Sequence, residues 1–157
     1  MPAEPPPAPD LAALPILRRV HAVYRALWGE LERPPSRRDI DPVRFGQLLP
    51  HLMLLEVHRD QQRLRVRLAG DVIERQSGYH SMRGRWIDET QRDPATAAEA
   101  YDGVVSALDQ GAERLVERRI ARADGMALRY YALTMPLLRL PEEPEMALVA
   151  VEYRAFD

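Results

Sequence analysis

The chain has 157 residues, 46% of them hydrophobic, with 22 basic side chains against 24 acidic ones and a net charge of -2, so it is long enough for one domain burying roughly 70% of its unfolded surface and carries no bulk positive field for nucleic acid or anionic membrane. All the basic residues are arginine, and lysine, cysteine and asparagine are absent. Those absences exclude Schiff-base enzymes, lysine phosphate loops, thiol nucleophiles, thiolate zinc sites, disulfides, and flavin or bilin photochemistry through a cysteine adduct.

Pro2, Pro5, Pro6, Pro7 and Pro9 crowd the start of the chain. Such a composition cannot build a core, so residues 1–13 are expected to form an extended arm. No run of 18 apolar residues occurs, and the start lacks the basic patch and apolar run of a secretory leader, so a cytoplasmic protein with no membrane partner is expected. Leu17, Val20, Tyr24, Leu27 and Leu31 then recur at spacings of 3 and 4, which predicts an amphipathic helix over 14–33. That stripe fits packing against the chain's own domain. It fits a homodimer seam equally well, with Val20, Tyr24, Leu27 and Leu31 as interface candidates. Pro34 and Pro35 end the helix, and the main domain follows over 34–157. Asp41 and Pro42 restart a helix as cap and first residue, with Phe45, Leu48 and Leu49 as its buried side, until Pro50 stops it.

Residues 51–58 read as an apolar strand. Over 63–68, Leu64, Val66 and Leu68 alternate with Arg63, Arg65 and Arg67, a half-buried strand forming a hairpin with the first through Asp60, Gln61 and Gln62. Asp71 is placed to cap a turn through Val72, Ile73 and Glu74. Asp93 and Pro94 repeat the cap-then-proline device and open a long helix with Ala97, Ala98, Tyr101, Val104, Val105 and Leu108 on one face, closed by Gly111. Strands over 114–122 and 128–138 flank the turn Ala123, Asp124 and Gly125, and 146–153 is the fifth strand. Antiparallel neighbours suffice to connect this order, giving an α+β domain with helices on one face of a five-stranded sheet.

Residues 34–84 carry a more specific pattern. Pro35, Arg37, Asp39, Ile40, Asp41 and Pro42 in the run PSRRDIDP, then Leu48, Leu49 and Pro50, a strand ending in Glu56 and Val57, the run Arg67, Leu68, Ala69 and Gly70, and finally Gly78 and Gly84 resemble the bacterial PAS family of type 5. The resemblance implies a sheet in the order 2-1-5-4-3 with helices over one face, a small pocket between them, and here an extra N-terminal amphipathic helix. It also implies a sensory module acting through that pocket and through contact with an unidentified signalling protein, with no enzymatic activity and no output domain of its own. Much of the pattern has a structural reason beside it: Asp41 and Pro42 start a helix, Gly70 permits a backbone turn, and Arg37 and Asp39 are placed to pair locally.

Leu68, Trp86, Tyr101, Val105 and Tyr131 are the ligand-pocket candidates, expected near the space between the long helix and the sheet. The polar tips of Trp86 and Tyr101 need partners when buried, which a ligand or water supplies; the same residues also suit a filled core. No cofactor is expected. Among His21, His51, His58 and His80, only His80 falls where pocket walls lie, and its neighbours are too polar for a haem site. Glu56 and His58 share a strand face with His51 opposite, so a metal lacks its third ligand. Ser36, Ser77, Ser81 and Ser106 lack a nucleophile-elbow sequence, and Glu142 and Glu143 lack apolar surroundings; a small isomerase or hydratase using the same pocket is the enzymatic alternative. Three arginines on one strand without interleaved aromatics read as a solubilising edge and not as an RNA surface.

Overall fold

Helix α1 spans Pro15–Leu31 in the computed structural model, which describes residues 9–91, 93–121 and 126–154. Proline suits the first helical position, where N–H groups have no intrahelical partner, yet the preceding Leu14 has no side chain able to cap them. A carboxylate from the far end of the domain does so instead. Glu152 Oε1 accepts from the Ile16 N–H at 2.7 Å and the Leu17 N–H at 3.3 Å, while its Oε2 lies 2.7 Å from Arg154 Nη2. Ahead of α1, Asp10 caps a single 3-10 turn over Leu11–Ala13, and Leu11 packs on the core. The arm assigned to 1–13 thus includes a packed turn; its first eight residues lie outside the described residues.

The seam expected at Val20, Tyr24, Leu27 and Leu31 is corrected by where this helix lies. Leu17, Val20 and Tyr24 have no exposed surface and pack with Leu133, Met135 and Leu148 of the chain's own sheet; Leu27 is buried as well. The Tyr24 hydroxyl donates to the Pro136 carbonyl at 2.7 Å. Only Leu31 is half-buried. A stripe of this period states that a helix has an apolar face, not which surface covers it.

Beyond α1, Asp39 Oδ2 accepts from the Ser36 N–H at 2.8 Å, from Ser36 Oγ at 2.9 Å and from Arg33 Nη1 at 2.9 Å. Arg33 has taken the carboxylate expected to pair with Arg37. The Arg33 guanidinium, with the Ser36 bonds, holds the Asp39 carboxyl down to about 2. A carboxylate depressed in this way stabilises the fold above its ordinary value of 3.8 and loses that contribution as pH falls toward about 2. The wild type is therefore expected to lose melting temperature more steeply across that acid range than Asp39→Asn; identical slopes would show that the carboxylate contributes nothing.

Helix α2, Pro42–Phe45, opens on Asp41, whose Oδ1 accepts from the Val43 N–H at 3.0 Å. Phe45 and Leu48 are buried as expected, but Leu49 is 37% exposed: the chain continues through Pro50 as a 3-10 segment, Gly46–His51, and the tighter winding turns Leu49 outward.

Strands β1 (Leu52–His58), β2 (Arg63–Ala69), β3 (Arg114–Ala121), β4 (Ala127–Pro136) and β5 (Met146–Arg154) form an antiparallel sheet in the order β2-β1-β5-β4-β3. The turn expected at Ala123, Asp124 and Gly125 lies outside the described residues. Helices α3 (Asp71–Ser77), α4 (Ile87–Thr90) and α5 (Pro94–Gln110) cover one face, and α1 covers the other. Cladding on both sides explains β5, buried from Met146 to Glu152: Met146, Leu148 and Ala150 face α1, and Ala147, Val149 and Val151 face α5. Helix α5 begins as its sequence predicts, with Asp93 Oδ1 accepting from the Ala95 N–H at 3.0 Å and Gly111 closing it at a φ of 62°.

The alternation read over 63–68 breaks before its end. Leu55 pairs with Val66 but Leu54 pairs with Leu68, a bulge on β2. Leu68 thereby leaves the face shared by Leu64 and Val66 and emerges on the α1 side, 45% exposed. The segment 84–86 covers the outer edge of β2, with the Val66 N–H donating to the Arg85 carbonyl at 2.8 Å and the Gly84 N–H to the Val66 carbonyl at 2.7 Å.

Candidate functional site

A cavity of about 70 Å³ separates α5 from the sheet. It persists because the facing residues are small: Ala100, Gly103 and Val104 on the helix look onto Ala132, Val149 and Val151, too few atoms to close the gap. Its rim is different. Arg114 and Arg118 alternate with Val116 on one face of β3 and reach over the helix. Gly103 makes way for them; a Cβ there would sit 3.4 Å from Arg118 Nη2 and 3.9 Å from Arg114 Nε.

Arg118 is anchored, its Nη1 donating to Glu99 Oε2 at 3.2 Å and its Nη2 to the Glu99 carbonyl at 3.1 Å. Arg114 Nη1 donates to Ser106 Oγ at 3.1 Å, and no acid pairs with it among the described residues. Gln91, Thr134 and Tyr130 add neutral polar groups. Burial pushes the Tyr130 phenol up, against the pull of the Arg118 charge and with the push of Glu99, so it stays a neutral hydroxyl. The Tyr130 ring leans on Tyr153 at 5.5 Å between centroids.

An apolar hollow with a cationic rim suits a small molecule with an acidic end. No histidine or carboxylate lines it, and Tyr130, which burial keeps protonated, is its one titratable side chain besides the arginines. At about 70 Å³ it is smaller than the roughly 150 Å³ that admits benzene; a flavin or haem ring does not fit.

The five predicted pocket residues miss this cavity, four of them by a single position. Trp86 stands outside it while Ile87 lines it; Tyr101 and Val105 flank Ala100 and Val104; Tyr131 points toward α1 while Tyr130 points in. Leu68 is carried to the opposite face by the bulge. Trp86 instead lies under Arg63, whose guanidinium is 4.1 Å from its ring, and beside His58 at 5.0 Å. Tyr101 lines a shallow depression with Arg63 and Asp88. Gly103, Arg114 and Arg118 were not anticipated; a glycine in mid-helix was the available signal.

Several of the remaining candidates find structural partners. Glu56 Oε1 lies 3.1 Å from His58 Nε2 and its Oε2 3.1 Å from Arg67 Nη1; burial raises its pKa, but Arg67 and His58 outweigh that and leave it lowered. Arg63 meets Asp88 at 3.2 Å and Arg65 the Gly84 carbonyl at 3.1 Å, so the arginines of β2 are engaged within the chain. His80 lies in a separate depression with Asp71 and Glu74, and no cluster of three metal-ligating side chains occurs among the described residues.

A family model described as PAS domain, type 5, matches residues 17–151. The comparison with curated proteins found no match. Among solved structures, the chain is similar to the PAS domain from Bordetella pertussis BvgS, at 17% identity and a TM-score of 0.53 over 68% of this chain and 79% of that one. A fungal LOV domain photoreceptor is similar at 17% identity and a TM-score of 0.52 over 92% and 98% of the two chains. The Rhodobacter sphaeroides LOV protein is similar at 24% identity and a TM-score of 0.50 over 66% of this chain and only 59% of its own length. Likeness at such identities is likeness of fold.

Proposed function

The chain belongs to the PAS domain family, a sensory fold, and on that premise we propose that it binds a small ligand in the cavity beneath α5 and passes the change to a protein partner, without catalysis of its own. The observation that carries this reading is the two-sided packing of β5. Val149 and Val151 line the cavity, while Leu148, Ala150 and Glu152 on the same strand hold α1. A ligand that favours one position of β5 biases the seating of α1 by as much as it prefers that position. The isomerase or hydratase alternative would need an acid–base pair that the lining residues do not provide. No helix of the described residues is long and apolar enough to cross a membrane.

Trp28 reports on α1, its ring edge-on to buried Tyr24 at 5.9 Å. In a Trp86→Phe background, acetate, propionate and butyrate are to be titrated while Trp28 emission and melting temperature are followed. At a hundredfold excess over Kd, binding stabilises by about 2.7 kcal/mol, a rise of roughly 5–10 °C at this size, accompanied by a change in emission. Ala132→Leu, which fills the cavity, is expected to abolish both. Neither signal in that background, or equal signals once Ala132→Leu is added to it, would remove the cavity from the sensing role.

A further inference from the structure

We propose that the chain carries a second ligand site, on the α1 side of the sheet, for a monoanionic amphiphile of the fatty-carboxylate class, with Arg37 as the partner of the carboxylate. A groove of about 500 Å³ runs there across β1 and β2, within the range of roughly 300–1,000 Å³ typical of small-molecule sites. Leu52, Leu68 and Leu148 line it with Ile40 and Leu49, and Arg37 is its one charged lining residue. Two features shape it: the bulge turns Leu68 outward, and β2 contributes no residue to the core that α1 builds with β1, β4 and β5.

Arg37 gives the groove its chemistry. The side chain is half-buried, yet its guanidinium, with five donors, has no hydrogen bond or ion pair among the described residues. Three acids of the surrounding segments are engaged elsewhere: Asp39 with Arg33 at 2.9 Å, Glu143 with Arg38 at 3.4 Å and Glu30 with Arg44 at 2.8 Å. A partly desolvated cation at an otherwise apolar groove is complementary to one negative charge on an alkyl chain. It does not suit an anionic bilayer, which is held by several basic residues acting together, because the neighbouring arginines are already neutralised. This site stands apart from the cavity beneath α5 and does not rest on the sensory reading.

The test is calorimetric titration of the full chain with decanoate below its micelle concentration. One-to-one binding is expected. Arg37→Gln should weaken it roughly tenfold to a hundredfold, the effect of losing a charged hydrogen bond. Leu68→Asp, at an exposed position that tolerates a charge, should abolish it, whereas Ala132→Leu should leave it unchanged. Circular dichroism confirms that each variant is folded. Absence of decanoate binding to the wild type, equal affinity in Arg37→Gln, loss in Ala132→Leu, or equal affinity for decyltrimethylammonium would each overturn the proposal. So would co-sedimentation with phosphatidylglycerol vesicles in place of decanoate binding.

Discussion

Val20→Asp is expected to abolish folding at 25 °C and not to release a folded monomer. Val20 has no exposed surface and sits between α1 and the outer face of the sheet. The substitution removes a buried apolar side chain and puts a carboxylate into an apolar cluster on a stem too short to carry it to water. The lost packing and the buried, unpaired charge together cost upward of about 5 kcal/mol, which consumes the stability of a domain at the lower end of the usual range of about 5–15 kcal/mol. Leu31→Arg, at the half-buried end of the same stripe, should cost less than about 1 kcal/mol. Far-ultraviolet circular dichroism with light scattering separates the possibilities. A Val20→Asp protein that keeps its melting transition while its mass halves would restore the seam between copies.

Gly70→Ala carries the second large effect, for a reason invisible in the backbone angle. Gly70 has a φ of -75°, open to any residue. What excludes a side chain is proximity: a Cβ would run into the carbonyl oxygens of Pro50 and Leu49, where the chain entering β1 passes the chain leaving β2. The Gly70 N–H donates to the Leu52 carbonyl at 2.8 Å, so neither backbone can retreat without losing that bond. No rotamer relieves a clash with main chain, so the cost lies at or beyond the upper end of overpacking, about 3 kcal/mol, or roughly 10 °C in melting temperature. A variant melting within about 2 °C of the wild type would show that the crossing is slack.

What could be read in advance was mostly local. Asp41 and Asp93 cap their helices as their neighbouring prolines suggest, Gly111 ends α5, and the stripe from Leu17 to Leu27 is an apolar helix face. The signature residues led to the family and the strand order. What escaped depends on contacts distant in sequence or on one-residue phase. Nothing near Pro15 announces that Glu152 will cap it. Nothing in the alternation of β2 announces a bulge that sends Leu68 outward. Tyr131 and Tyr130 are interchangeable as letters, yet the strand sends them to opposite faces. Arg37 and Arg33 compete for one carboxylate, and only the turn at Ser36 decides which wins.

The strand at the middle of the sheet is the last of the five to be synthesised. The β1–β2 and β3–β4 ladders join neighbours in the chain, but they meet only across β5. Until it leaves the ribosome, each hairpin keeps a long unpaired margin, and the first turn of α1 waits for a carboxylate not yet translated. Completion is thus one late event uniting both halves of the domain and seating its first helix. The interval before it is when open strand margins are most vulnerable to pairing with another nascent chain.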